Sequence, residues 1–169
     1  MKIEKLLFLF SIILLVCFAT SVGQTRDDIQ ENQYMTSQFS MSYEGHGPIE
    51  IRSDTKFASL VSTEIWDGDG SSDTPYIIEE YNITDDSTCI LITDVSVYFT
   101  IRNCFINSST GPSDPGIYLY NASHARIENT VVSWHTYAIY AQDCPDVVID
   151  GCMITESGAN TIWIIECNR

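Results

Sequence analysis

From Ile49 onward the chain is built of short apolar runs, rich in Ile, Val, Tyr and Thr and broken by Gly, Asn, Asp, Ser and Pro. Apolar residues alternate with polar ones within the runs, and no long helical stripe appears, so β-strands are expected. Three stretches superpose. Ile90-Leu91-Ile92 leads to Phe99-Thr100-Ile101-Arg102-Asn103-Cys104-Phe105-Ile106. Ile117-Tyr118-Leu119 leads to Ala125-Arg126-Ile127-Glu128-Asn129-Thr130-Val131-Val132. Ile139-Tyr140-Ala141 leads to Val147-Val148-Ile149-Asp150-Gly151-Cys152-Met153-Ile154, and a further unit opens at Ile162-Trp163-Ile164. The step is 22 residues from Ile117 to Ile139, 23 from there to Ile162, and 27 from Ile90 to Ile117, where a loop is expected at 110–115.

A unit this small cannot bury an apolar face by itself, but stacked units can. Stacking puts equivalent residues about 4.8 Å apart in columns. Ile90, Ile117, Ile139 and Ile162 form one inward column, and Ile92, Leu119, Ala141 and Ile164 a second. Ile101, Ile127 and Ile149 form a third, and Ile106, Val132 and Ile154 a fourth. Asn103, Asn129 and Gly151 share a turn position, where both residue types tolerate a left-handed backbone. The I-x-N-C-x-I, I-x-N-T-x-V and I-x-G-C-x-I segments resemble the right-handed parallel β-helix repeat family, including NosD-type and pectate-lyase-like secreted proteins. The resemblance covers residues 76–169, and Trp66-Asp67-Gly68-Asp69-Gly70-Ser71 resembles an entry motif before such repeats. It implies an all-β fold, a right-handed parallel β-helix of about four short coils over 48–169. It implies little about activity, because the fold hosts many functions.

The N-terminus has another character. Lys2 and Lys5 precede an apolar run over 6–19, and small residues follow at Ser21 and Gly23. This order is that of a secretory signal peptide, expected over 1–23. The run is short of the ~20 residues a spanning helix needs, although an uncleaved anchor stays open. Residues 24–47 read as a polar linker or stalk. The 169-residue chain carries a net charge of −15, and removal of 1–23 leaves 22 acidic against 6 basic residues, or −16. That excludes nucleic acid as a partner. It favours a neutral ligand and a secreted or cell-surface location. Sequons at Asn82, Asn107 and Asn121 fit a glycoprotein.

Candidate chemistry is thin. Asp67, Asp69 and Asp73 alternate like the start of a calcium loop, but Ser72 and Ile78 stand where Gly and Glu are needed. A Gly-rich turn is the competing explanation. Asp94, Asn121, Asp143 and Glu166 fall in one column, where carboxylates repel by ~1 kcal/mol per pair in water. They call for a cation or for splaying into solvent. Arg102 and Arg126 sit in no cluster of acids, and His46, His124 and His135 lack a nucleophile or carboxylate at motif spacing. The scattered methionines do not suit copper. No catalytic set is identified.

The outward column Leu91, Tyr118, Tyr140 and Trp163 is the informative surface. Tyr118, Tyr140 and Trp163 suit stacking on sugar rings, or else packing beneath a loop. The leading function is non-catalytic carbohydrate binding or adhesion, with no cofactor. The alternative is a fragment of a polysaccharide lyase or glycoside hydrolase of this fold. Cys144 and Cys167 share a column at a spacing a disulfide can bridge, and the bond would stabilise by roughly 3 kcal/mol at most. The last coil reads as open-ended, and self-association through its strand edge is expected.

Overall fold

The computed structural model describes residues 43–112, 114–158 and 160–168. The signal peptide and most of the linker expected from the sequence lie outside the described residues. Strands β1 (Glu44–His46) and β2 (Ile49–Ile51) come first, followed by helix α1 (Asp54–Glu64). Three strands per coil follow. The first full coil holds β3 (Tyr76–Glu79), β4 (Tyr81–Thr84) and β5 (Ile90–Val95). The second holds β6 (Phe99–Arg102), β7 (Phe105–Asn107) and β8 (Ile117–Ala122). The third holds β9 (Ala125–Glu128), β10 (Val131–Ser133) and β11 (Tyr137–Gln142), and the fourth β12 (Val148–Asp150), β13 (Met153–Thr155) and β14 (Asn160–Ile165).

Strands from successive coils pair in parallel into three sheets. Sheet A runs β1-β4-β7-β10-β13, sheet B β2-β5-β8-β11-β14, and sheet C β3-β6-β9-β12. This is a right-handed parallel β-helix of about four coils. The ladder starts at Glu44, earlier than the boundary at 48 expected from the apolar pattern, because β1 pairs with β4 through Glu44↔Tyr81.

The inward columns stand as the repeat alignment places them. Ile90 pairs with Ile117, Ile117 with Ile139, and Ile139 with Ile162. Ile101, Ile127 and Ile149 are likewise in register, as are Ile106, Val132 and Ile154. Ile90, Ile92, Ile101, Ile106, Ile117, Leu119 and Ile127 are fully buried. Period-two alternation sends one face of every strand into this shared core.

The corners turn on residues with left-handed backbone. Between sheets C and A they are Glu80, Asn103, Asn129 and Gly151, with φ of 63, 51, 46 and 61°. Gly151 has a second reason to lack a side chain, since a Cβ there would lie 2.5 Å from Oδ1 of Asn129. At the end of the sheet B strands the corners are Asp94, Asn121, Asp143 and Glu166, with φ of 56, 48, 53 and 54°. Backbone geometry therefore explains that acidic column, since Asn and Asp adopt this region more readily than other side chains. Asn121 Nδ2 also donates to Asp94 Oδ1 at 2.8 Å, which replaces repulsion by attraction at that step.

Helix α1 corrects the expectation of strands throughout 48–169. Its start is capped by Ser53, whose Oγ accepts from Lys56 N at 3.1 Å. Asp54 reaches across to the turn after β5, accepting from Ser96 N at 2.7 Å and Ser96 Oγ at 2.6 Å. Ile65 ends the helix in the left-handed region. Phe57, Leu60 and Val61 make one apolar face. Phe57 is fully buried, stacked on Tyr76 at 4.9 Å and packed against Phe99 at 5.4 Å and Trp66 at 6.0 Å. Trp66 Nε1 then donates to Tyr81 OH at 2.9 Å. Replacing Phe57 by Ala removes the centre of this cap and should lower stability by about 3–5 kcal/mol. Urea unfolding followed by far-UV circular dichroism measures the loss.

Candidate functional site

Sheet B has the longest strands of the coils, six residues each in β5, β8, β11 and β14. Their outward residues form two neighbouring columns. One is Leu91, Tyr118, Tyr140 and Trp163; the other is Thr93, Tyr120, Gln142 and Ile165. The outward direction is set by flanking residues, since Ile117 and Leu119 on either side of Tyr118 are fully buried.

The rings do not all lie flat on the sheet. Tyr118 and Tyr140 stack on each other, with centroids 5.1 Å apart and planes 11° apart. Each covers one face of the other, so this pair presents edges and hydroxyls to solvent. Tyr140 OH donates to Gln142 Oε1 at 3.1 Å. Tyr137 meets Tyr140 at 5.7 Å and Trp163 at 5.8 Å, both edge to face. Trp163 is 39% exposed and Tyr120 38%, so these two offer open ring surface. Burial, then the neighbouring Tyr140, raises the Tyr118 pKa above its ordinary value, and its hydroxyl stays a donor at neutral pH. The result is a ribbon with ring edges and phenols along its middle and open aromatic surface on Trp163 and Tyr120.

The other residues singled out from sequence fall elsewhere. Asp69 closes a turn: its Oδ1 accepts from Ser71 N at 3.0 Å and from Thr74 Oγ1. These bonds, the hydroxyls first, pull its pKa down to about 2. Gly68 has φ of 100°, and a Cβ there would lie 2.0 Å from the Pro75 carbonyl oxygen. The stretch is thus a Gly-dependent turn, with Asp67 and Asp73 exposed beside it. Among the described residues, no three His, Cys, Asp or Glu side chains converge as a metal centre. Cys144 and Cys167 are neighbours, with Cys144 N donating to Cys167 Sγ at 3.3 Å. Cys104 and Cys152 are separated by Thr130, whose Oγ1 accepts from Cys104 N at 3.4 Å.

A family model described as the right handed beta helix region matches residues 115–169, from just before β8 to β14. Over those residues the structure is itself a stack of parallel strands, β8 to β14. No curated protein and no solved structure matches the chain.

Within and beside this β-helix region, the fold assembles groups that spacing in the sequence kept apart. Arg102 is in an acidic setting after all: its Nε donates to Glu79 Oε2 at 2.7 Å, and it pairs in register with Glu128. Arg126 Nη1 lies 3.0 Å from Glu128 Oε1. His124, read as lacking a carboxylate partner, has Asp146 Oδ2 at 3.6 Å from its Nδ1 and Tyr98 stacked on its ring at 4.1 Å. These three residues and Arg126 line a shallow cavity of about 230 Å³. A larger cleft of about 550 Å³ lies between α1 and β2, where Arg52 pairs with Glu50, and His46 with Glu64 at 3.3 Å.

The least foreseeable pair is Cys89 and His135, both fully buried. His135 Nδ1 is 2.9 Å from the carbonyl oxygen of Asp114, which can only accept, so Nδ1 carries the proton. Nε2 is then left to accept from the Cys89 thiol at 3.6 Å. Burial pushes the Cys89 pKa up to about 12, which makes it a packed thiol and not a nucleophile. Alignment could not reveal this pair, because His135 sits in the turn before β11 and Cys89 precedes β5.

Burial also lowers the pKa of His135 below its ordinary 6.5. The unfolded chain therefore takes up that proton first. Stability from this site is full above pH 6.5 and is lost as pH falls below it toward the folded pKa. Urea midpoints should drop between about pH 7.5 and about pH 5. The His135→Gln variant should show a shallower drop over the same window.

Proposed function

We propose that this chain is a secreted or cell-surface β-helix module that binds a neutral, extended glycan across the outer face of sheet B without transforming it. One observation carries the reading: Tyr118, Tyr140 and Trp163 stand in register on consecutive coils, pointing outward. The stacking of Tyr118 on Tyr140 changes how such a ribbon would bind. A sugar meets phenol hydroxyls and the Gln142 amide along the middle, and stacks on Trp163 or Tyr120 where ring surface is open. Charge supports a neutral ligand, since a chain of net charge −15 repels uronates.

Carboxylate environments support the non-catalytic side. Glycoside hydrolysis by a carboxylate pair needs an acid with a raised pKa. Asp54, Asp69, Asp85 and Asp86 are all held below the ordinary range by hydrogen bonds.

Affinity gels or a glycan array test the binding surface. Wild type should bind neutral polysaccharides weakly, with affinity rising with chain length. The triple variant Tyr118→Ala, Tyr140→Ala, Trp163→Ala should lose binding by about tenfold or more, since each ring contact contributes roughly 0.5–1.5 kcal/mol. Equal binding by the triple variant, with its β-sheet circular dichroism intact, assigns the ribbon to packing alone.

The secretory reading carries an expectation for the cysteines. Burial pushes the Cys144 thiol up to about 11, so air oxidation should be slow. In an oxidising compartment Cys144 and Cys167 should be joined, and Cys104 and Cys152 should stay free. Non-reducing peptide mapping of secreted protein reads this directly; both thiols free at 144 and 167 would overturn it.

A further inference from the structure

The three sequons look alike in sequence, and the fold separates them sharply. Asn121 occupies a left-handed corner, and its Nδ2 donates to Asp94 Oδ1 at 2.8 Å. Asn107 is half-buried, and its Oδ1 accepts from the buried Ser133 Oγ at 2.8 Å. The hydroxyl of that sequon, Ser109 Oγ, donates to Asp86 Oδ1 at 2.8 Å. Asp86 Oδ1 also takes Ser108 Oγ at 3.0 Å and the amides of Ser109 and Thr110 at 2.9 and 3.0 Å, and Ser108 is buried between. A glycan on Asn107 would have to enter this tight loop.

Asn82 is different. It lies in β4 with Ile83 turned into the core and Thr84 exposed on the same side as itself. Period two therefore sets the sequon hydroxyl beside the amide, and Thr84 Oγ1 reaches Asn82 Oδ1 at 3.4 Å. No hydrogen bond to Asn82 Nδ2 occurs among the described residues. On one side Asn82 pairs with Gly45, around which a Cβ would meet nothing within 4 Å. On the other it heads an outward column that is apolar: Phe105, Val131 and Met153, all half-buried, follow in register. Tyr43 flanks Phe105 at 6.1 Å. Columns at about 4.8 Å spacing offer successive apolar surfaces to successive sugar rings.

We propose that Asn82 is the glycosylated residue of this chain, and that the first sugars of its glycan lie over Phe105 and Val131. The inference rests on the secretory reading of 1–23. In the transfer, the bond from Asn82 Nδ2 to the sugar C1 forms as the C1–O bond to a lipid-linked phosphate donor breaks. The phosphate leaves with the bonding electrons, and the amide gives up one proton.

The test expresses the full chain in a glycosylating host in two forms, one with its own N-terminus and one with 1–23 replaced by the host's secretion leader. Glycopeptide mapping of the leader-driven protein should find Asn82 occupied in most molecules and Asn107 and Asn121 in a small minority. Asn82→Gln and Thr84→Ala should each abolish the main glycoform, while Asn107→Gln and Asn121→Gln should leave it. An empty Asn82 in secreted protein, or equal occupancy at all three sites, overturns the proposal. Retention of the own-N-terminus form, with Asn82 occupied in the leader-driven form, overturns the secretory reading alone. The glycosylated protein should also bind less of an apolar fluorescent dye than Asn82→Gln; equal dye binding overturns the placement over Phe105 and Val131.

Discussion

Each coil must return the chain to the same place about 4.8 Å further along the stack, or the parallel ladders cannot pair. Everything else in the molecule is subordinate to this closure. Three short strands alone do not close; the corners between them do. Glu80, Asn103, Asn129 and Gly151 turn the chain from sheet C to sheet A with one left-handed residue each, and Asp94, Asn121, Asp143 and Glu166 begin the longer turns that follow sheet B. A left-handed residue other than Gly costs roughly 1–2 kcal/mol, and the fully buried inward residues of the central coils, such as Ile101, Ile117 and Ile127, offset it. Trp134 and Glu156, also left-handed at 61 and 52°, show that the corner is imposed by the stack even on residues that do not favour it.

Closure also decides what could be read in advance. The Ile columns were legible because burial demands the same kind of residue at the same place in every coil, and those are the columns that pair. The Asn-Gly column was legible for the backbone reason just given. The acidic column was legible as a column, but its cause was not, because a carboxylate at a corner and a carboxylate at a cation site look the same in a string of letters. Helix α1 was hidden by its brevity: Phe57, Leu60 and Val61 are too few to form a long stripe. Ser53 followed by an acidic first turn was the signal present for it.

Of the candidate site, the register of Tyr118, Tyr140 and Trp163 was legible and the attitude of the rings was not. Alternation says which face of a strand a side chain leaves from, not how it lies once two neighbours stand 5.1 Å apart. Contacts between different corners were equally hidden. Cys89 meets His135 only because the chain passes the same place twice, and the long loop after β7 brings Asp114 to the other ring nitrogen.

The same constraint explains why the core says so little about function. Inward positions are tied to every neighbouring coil, whereas outward positions answer only to solvent and to the residues directly above and below. The three outer faces have accordingly diverged. Sheet B carries rings and phenols. Sheet C carries the charged column Glu79, Arg102, Glu128 and Asp150, in which Arg102 is flanked by acids on both sides. Sheet A carries the apolar column below Asn82. A charged column can satisfy itself by internal pairing, as Arg102 and Glu79 do at 2.7 Å. An aromatic column has ring stacking in place of charge pairing, as between Tyr118 and Tyr140, and Trp163 still stays 39% exposed. The outward column of sheet C is thus the one that ion pairing within the face already accounts for.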